Sequence, residues 1–393
     1  MKKLSLLFLL GLSTSVFSQQ SDTTIVLEDV VVTATRSEIS LENSPVPTEV
    51  IGKDEIEKLN LNTMDDLLRQ KGFFVAPSKS GGFQLRGLSS EYVLVMIDGV
   101  PVAGRQSGAL DLSNIYLGNV ERVEIVKGSM SSLWGNHAIG GVINIITKKG
   151  GESSTTMSSQ YGTNNESLTG ITSTFGKGKL KNVSQISYGF SDGFDIDPDT
   201  YGNNVLPFTQ LNLSNRTTFN DGVNEFSLGA TYLDKKSEGS TITETNTQGQ
   251  LVPVDEVNES ENMILDFNYT RRFGKYVSEV KVSNSNFNNS NQSTFEYFGQ
   301  QVVQLDESDQ NIFQPEMINT YNWNGKNSTT LGFGYRGHDY NTERYGGDKS
   351  LNSSFAYLQH YLNLNKLNVV LGGRYDNYSD FGTNFSPKVS ATY

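Results

Sequence analysis

Residues 226–232, FSLGATY, alternate without a break. Phe226, Leu228, Ala230 and Tyr232 take one side of an extended chain, and Ser227, Gly229 and Thr231 take the other. Successive side chains of a strand point to opposite faces, so a period of two sets different surroundings against each face. The pattern recurs downstream. Leu331, Phe333 and Tyr335 alternate with Thr330, Gly332 and Gly334; Leu367, Val369, Leu371 and Tyr375 alternate with Asn368, Gly372, Arg374 and Asp376. Tight turns fall at 220–222, around Gly274, at Asn324-Gly325 and at Asn365-Lys366, and long polar stretches fall near 191–207, 236–261, 288–311 and 338–352. Short and long connections alternate strictly. A soluble sandwich supplies no reason for that; an outer-membrane barrel does, because its turns are short on one side and its loops long on the other. Strands must close on themselves there, since lipid cannot satisfy an open edge. Each candidate strand is long enough for the ~9–11 residues of a tilted span. The expected fold of 151–393 is a transmembrane antiparallel β-barrel.

Composition agrees. The chain is 36% hydrophobic and carries a net charge of −12 with a pI near 4.8. That balance argues against nucleic acid as a partner. So little apolar material cannot fill a large conventional core, but it suffices for a wall whose lipid-facing and water-facing residues alternate. Residues 1–18 read as a secretory signal peptide: Lys2 and Lys3, an apolar run from Leu4 to Val16, then small residues at the cleavage position. The chain has no cysteine, so no disulfide supports it outside the cytoplasm.

Residues 45–150 have a different texture, that of a compact α+β domain. Thr63-Met64-Asp65-Asp66 resembles a capping box with acids in the first helical turn. Met64, Leu67 and Leu68 share a helical face, and Gly72 suits the position past the helix end. Extended segments are expected at 83–86, 92–97, 120–127 and 141–149, separated by glycine-rich turns.

Several linked motifs carry a family resemblance. EDVVVTATR (28–36), QLRGL (84–88), VLVMIDGVPV (93–102) and VERVEIVKGSMSSLWGNHAIGGVINIITKK (120–149) occur in the order found in TonB-dependent outer-membrane receptors. The resemblance implies an α+β plug (45–150) inside a β-barrel whose first part is 151–393, preceded by a TonB-box segment and tether at 19–44. It implies energised uptake of a scarce nutrient, an iron chelate or a cobalamin-like ligand, in a Gram-negative outer membrane. The expected partners are the periplasmic domain of TonB, outer-membrane lipid and a small-molecule ligand; a monomer is expected. The alternatives are a passive pore or adhesin, or a non-functional fragment.

By that resemblance, Glu28, Asp29, Val30, Val31, Val32, Thr33 and Ala34 form the TonB box, which binds by adding a strand to its partner. The other reading makes 28–36 the plug's own first strand. Arg86, Arg122 and Glu124 are expected to lock plug to barrel through glutamates of the wall, or else to form salt bridges inside the plug. Ser80, Gly81, Arg105 and Gln106 are expected at the ligand-facing apex. The outer loops are neutral to acidic, which favours a neutral ligand such as a cobalamin, a sugar or a peptide.

Asp192, Asp195, Asp197 and Asp199 (SDGFDIDPDT) form an acidic cluster in an outer loop. They are either a Ca²⁺ site with carboxylate ligands or a solvated loop, and no other cofactor is expected. His137 is expected to be structural, and His338 to border an outer loop where it could touch ligand. Gly189-Phe190-Ser191-Asp192-Gly193 matches G-x-S-x-G, but DPDTYGNN cannot supply the helix that motif needs after its serine, so no enzyme is expected. After Gly150 there remain 393 − 150 = 243 residues, room for about a dozen spans. A plugged lumen belongs to ~22 strands, so the family barrel is expected to be only partly present.

Overall fold

The computed structural model describes residues 31–32, 36, 39–41, 44–75, 82–106, 109–196, 199, 201–244, 251–297, 299–324, 326–342, 346–364 and 366–393. Glu28, Asp29, Val30, Thr33, Ala34, Ser80, Gly81 and Asp197 lie outside the described residues, as does the signal peptide.

The smaller unit is built on a five-stranded sheet: β1 (Thr48–Gly52), β2 (Val93–Ile97), β3 (Val100–Pro101), β4 (Val120–Lys127) and β5 (Gly141–Thr147), in the order β1-β4-β5-β2-β3. β4 runs antiparallel to both β1 and β5, while β5 and β2 are parallel, with Ile143 beside Val95. Every residue of β2 and β5 is buried, as uninterrupted apolar runs such as VLVMI require when both faces of a strand are covered. One face packs against α1 (Lys53–Leu59) and α2 (Met64–Gln70) through Ile56, Met64, Leu67 and Leu68. Thr63 caps α2 by accepting from the Asp66 amide at 3.3 Å. The other face packs against α3 (Ser131–Trp134) through Leu94, Met96, Val126 and Val142. Each such buried aliphatic side chain contributes about 1.5–3 kcal/mol.

Gly141 opens β5 at φ +145°, and a Cβ there would meet the carbonyl oxygen of Val126 and the side chain of Leu85. Backbone cannot move aside as a flexible side chain can. Gly141→Ala is expected to lower stability by at least ~2 kcal/mol, combining positive-φ strain with overpacking. A urea-unfolding midpoint unchanged from the parent protein would contradict this.

The larger unit is one twelve-stranded antiparallel sheet with sequential neighbours. Its strands are β6 (Ser154–Tyr161), β7 (Ser167–Lys177), β8 (Leu180–Ser191), β9 (Phe208–Asn220), β10 (Asn224–Glu244), β11 (Leu251–Phe273), β12 (Tyr276–Tyr297), β13 (Gln300–Asn322), β14 (Ser328–Thr342), β15 (Gly347–Leu364), β16 (Leu367–Tyr378) and β17 (Gly382–Thr392). Among the described residues the sheet is not closed, and β6 and β17 are its edges. Its polarity is the reverse of a soluble protein's. Phe226, Leu228, Leu331, Phe333, Leu371 and Tyr375 are exposed on the outside, while Ser227, Thr330, Gln185, Asn262, Asp266, Arg374 and Asp376 are buried inside. Exposed apolar residues outside and buried polar residues inside fit a wall with lipid around it and a polar filling.

At the short-turn end Phe273 stacks on Tyr276, Tyr276 meets Tyr321 at a tilt, Tyr321 meets Trp323 edge-on, and the Trp323 indole donates to Thr329 Oγ1 at 2.8 Å. Such a row of amphipathic rings suits a membrane interface.

The stretches expected to be loops at 236–261 and 288–311 are mostly strand. β10 pairs with β11 from Asn224–Arg271 to Glu244–Leu251, and β12 pairs with β13 from Tyr276–Tyr321 to Tyr297–Gln300. Only ~9–11 residues of each cross the bilayer. The rest, rich in Thr, Ser, Asn and Gln, continues the ladder into water, where a polar sequence no longer distinguishes strand from loop. The same plug touches the wall from β6 (Tyr116 to Ser158) through to β17 (Met130 to Lys388). The sheet therefore curls around it.

Candidate functional site

The N-terminal thread enters the space between plug and wall. Val31–Val32 pair antiparallel with Ile39–Ser40, Val31 opposite Ser40 and Val32 opposite Ile39. Between them Arg36 takes a left-handed backbone conformation, φ 60°, and its side chain is buried. Its guanidinium lies 3.8 Å over the Trp134 ring of α3 and 4.9 Å from the Tyr357 ring of β15. It forms an ion pair with Glu316 of β13. Glu316 also accepts from the Tyr357 hydroxyl at 3.0 Å and from Gln314 Nε2 at 3.2 Å. A buried charge persists only when paired and hydrogen-bonded, and here the pairing joins thread, plug and wall at one point. The segment VVVTATR shows its strand-forming residues openly; that its last residue anchors it is not visible without knowing what faces it.

A second polar junction seats the plug. Arg216 of β9 reaches inward to Asp98 of the plug at 2.8 Å and to both carboxylate oxygens of Asp266 of β11 at 2.8 and 3.0 Å. Asp98 is positioned by Thr147, whose amide and hydroxyl donate to its two oxygens at 2.9 and 2.6 Å. Gly229 lies beneath this cluster, and a Cβ there would collide with Asp266 and Arg216. Nearer the apex, Lys235 binds Asp111 and Ser113, each at 2.8 Å. Burial alone would raise the Asp111 carboxyl; the Lys235 ammonium and the Ser113 hydrogen bonds outweigh it and hold Asp111 below the usual carboxylate range.

Backbone is gripped as well. Gln310 accepts from the amides of Gly104 and Arg105 and donates to the Arg105 carbonyl at 2.9 Å. Asn262 donates to the Ala103 carbonyl at 2.8 Å, Ser285 accepts from the Ala103 amide at 3.0 Å, and Arg374 donates to the Leu133 carbonyl at 2.8 Å.

The expected lock residues sit elsewhere. Arg122 pairs with Glu124 on its own strand at 2.8 Å, and Glu124 is fully buried. Two residues apart on one face of β4, they satisfy each other. Arg86 occupies a turn at φ 54° and is exposed. Among the described residues, neither arginine reaches a glutamate of the wall. The plug–wall arginine contacts run the other way, from wall arginines Arg216 and Arg374 to plug acceptors. At the apex, Gln106 donates to Asn289 of β12 at 2.6 Å, and the Arg105 guanidinium donates to the carbonyls of Ser90 and Val93.

Asp192 accepts from Asn165 at 3.3 Å. Among the described residues, no group of three or more Asp, Glu, His or Cys side chains gathers as a metal would require, so Asp192, Asp195 and Asp199 do not form a ligand set.

These features, an α+β plug seated by polar and apolar contacts within a lipid-facing sheet, define a plugged outer-membrane barrel architecture. Residues 40–142 match the TonB-dependent Receptor Plug Domain, and residues 148–393 match the TonB dependent receptor-like beta-barrel. The chain belongs to the TonB-dependent receptors of the Gram-negative outer membrane.

Among its relatives, the Vitamin B12 transporter BtuB of Vibrio cholerae is 40% identical over 141 residues, 34% of this chain and 23% of the relative. The Vitamin B12 transporter BtuB of Vibrio vulnificus is 34% identical over 205 residues, 49% of this chain and 33% of the relative. The ferripyoverdine receptor of the outer membrane of Pseudomonas aeruginosa shares the fold at a TM-score of 0.75 and 16% identity, covering 92% of this chain and 57% of that one. The siderophore receptor PirA from Acinetobacter baumannii shares it at a TM-score of 0.68 and 17% identity, covering 88% and 58%. The chain thus spans a quarter to a third of the curated relatives it matches, and little over half of the solved receptors.

Proposed function

We propose that this chain provides the plug and part of the wall of a receptor that takes up a scarce small nutrient, an iron chelate or a cobalamin-like ligand, powered by TonB pulling on residues 28–34. One observation carries the reading. Arg36, two residues past the proposed TonB box, is held by Trp134 of the plug and Glu316 of the wall. A force on the thread therefore reaches the plug–wall seam at Arg36. The contacts around that seam mix polar pairs with apolar ones, Phe355 and Tyr357 of the wall packing with Leu133 and Trp134 of the plug; water can replace the polar contacts one by one as the plug shifts, while the apolar patch resists as a unit. The likeness to vitamin B12 transporters supports a large chelate as ligand.

Deleting residues 28–34 in the receptor within cells should abolish energised uptake and leave surface binding of the ligand unchanged. Uptake that persists at normal receptor abundance would refute the TonB-driven reading. Loss of binding together with uptake would mean that the deletion had disturbed the plug itself.

A further inference from the structure

Two guanidinium groups between plug and wall, Arg336 buried and Arg105 half-buried, form no ion pair with a carboxylate among the described residues. Arg336 of β14 donates through Nε to Gln314 at 2.8 Å, and its Nη2 has no acceptor among the described residues. The Arg105 guanidinium donates to the carbonyls of Ser90 and Val93. The nearby acids are already engaged or face away. Glu316 belongs to Arg36, and Asp376 to Arg374. Asp339 is exposed and follows His338 on the strand, so it lies on the opposite face. Glu91 is exposed.

Two imidazoles lie near these arginines: His338 shares a strand face with Arg336, and both arginine charges act on His137. His137 of the plug faces His338 of the wall edge-on, ring centroids 6.4 Å apart, and Tyr340 follows at 6.0 Å from His338. The Nε2 of His338 is buried without a partner among the described residues. Both histidines retain part of their surface open. Burial, together with Arg336 and Arg105, pushes His137 down to about 3, so it is neutral at pH 7. Buried cations in proteins are paired or matched by a bound anion, and a planar guanidinium fork suits carboxylate or phosphate oxygens.

We infer that Arg336, Arg105, His137 and His338 form an internal site for an anionic group, a carboxylate or a phosphate, of a small-molecule ligand. The inference rests on the uptake reading for its biological use, but not for its chemistry. It places on the inner surface the positive charge that the outer loops lack.

The chain has three histidines, which makes the test direct. The protein labelled with ¹³C at histidine is purified in detergent and titrated at constant ionic strength with inorganic phosphate, with citrate, and with glucose as a neutral control. The His137 and His338 resonances should shift saturably with phosphate or citrate and not with glucose. His360, engaged with Thr329 at 2.8 Å, should stay still. Arg336→Gln should weaken binding by about tenfold or more, the loss of a charge-assisted hydrogen bond. Arg336→Lys, which keeps the charge and loses the fork, should fall between.

Phosphate binding tighter than citrate, or the reverse, assigns the group. No saturable shift with either anion, or equal shifts in Arg336→Gln and the parent, overturns the proposal. The titration needs no TonB: a protein lacking 28–34 should bind the probe normally, so failure of the uptake reading and failure of this one are separable.

Discussion

Arg216→Ala should cost about 3–5 kcal/mol of stability and loosen the plug from the wall. The arginine is the only cation that touches both Asp98 and Asp266 among the described residues, with side chains 12% and 4% exposed. Its removal leaves two carboxylates facing each other in a site that water reaches poorly. Two buried like charges without a counter-ion are worse than one. Asp98→Asn is a milder change: the bidentate Arg216–Asp266 pair survives and the new side-chain carbonyl still accepts from Thr147, so the loss should be ~1–2 kcal/mol. The comparison is made by urea unfolding in detergent, alongside the rate at which added protease cuts the 148–151 connection. If the two variants lost the same stability, Arg216 would not be the residue that holds the junction together.

Glu316→Ala should release the N-terminal thread. It strands the Arg36 guanidinium in a buried site, at a cost of about 3–5 kcal/mol, and Arg36 lies between the two paired segments, Val31–Val32 and Ile39–Ser40, that it anchors. Arg36→Ala should release the thread by a similar amount, because Glu316 is then the stranded group. The double variant should lose less than the sum of the single losses, since neither charge remains to be stranded. Trp134→Leu, which keeps the ion pair and removes the aromatic face, should cost ~0.5–2 kcal/mol. Amide hydrogen exchange of residues 31–41 reads all four. Unchanged protection in both single variants would show that the thread is held by something other than this pair.

What is legible in the sequence follows from periodicity. The alternation of 226–232 predicts which side chains face out, and Leu228 is 62% exposed while Ser227 is 7%. The capped helix at 64–70 and the all-apolar strands 93–97 and 141–147 are equally readable, since caps and buried runs are local signals. The loops are not. Beyond the bilayer the strands keep their hydrogen bonds but lose the apolar half of the alternation, so Glu256 to Ser260 looks like loop and is strand. The functional contacts are legible least. Arg122 and Arg86 stand in recognisable motifs, yet one is satisfied by its neighbour Glu124 and the other is exposed. The residues that grip the plug, Arg216, Gln310 and Arg374, lie in wall strands whose inward positions show only that something polar is wanted.

By itself the sequence determined the class of environment at each position: which face meets lipid and which meets water or protein. Those are one-body properties, set by the hydrophobicity and backbone preference of each residue. The tertiary structure decided the partnerships. Arg36 with Glu316 spans 280 residues, Arg216 with Asp98 joins two units, and Arg336 ends without an acid among the described residues. A charge pair depends on the position of two side chains at once, and only the folded chain brings them within reach or leaves them apart.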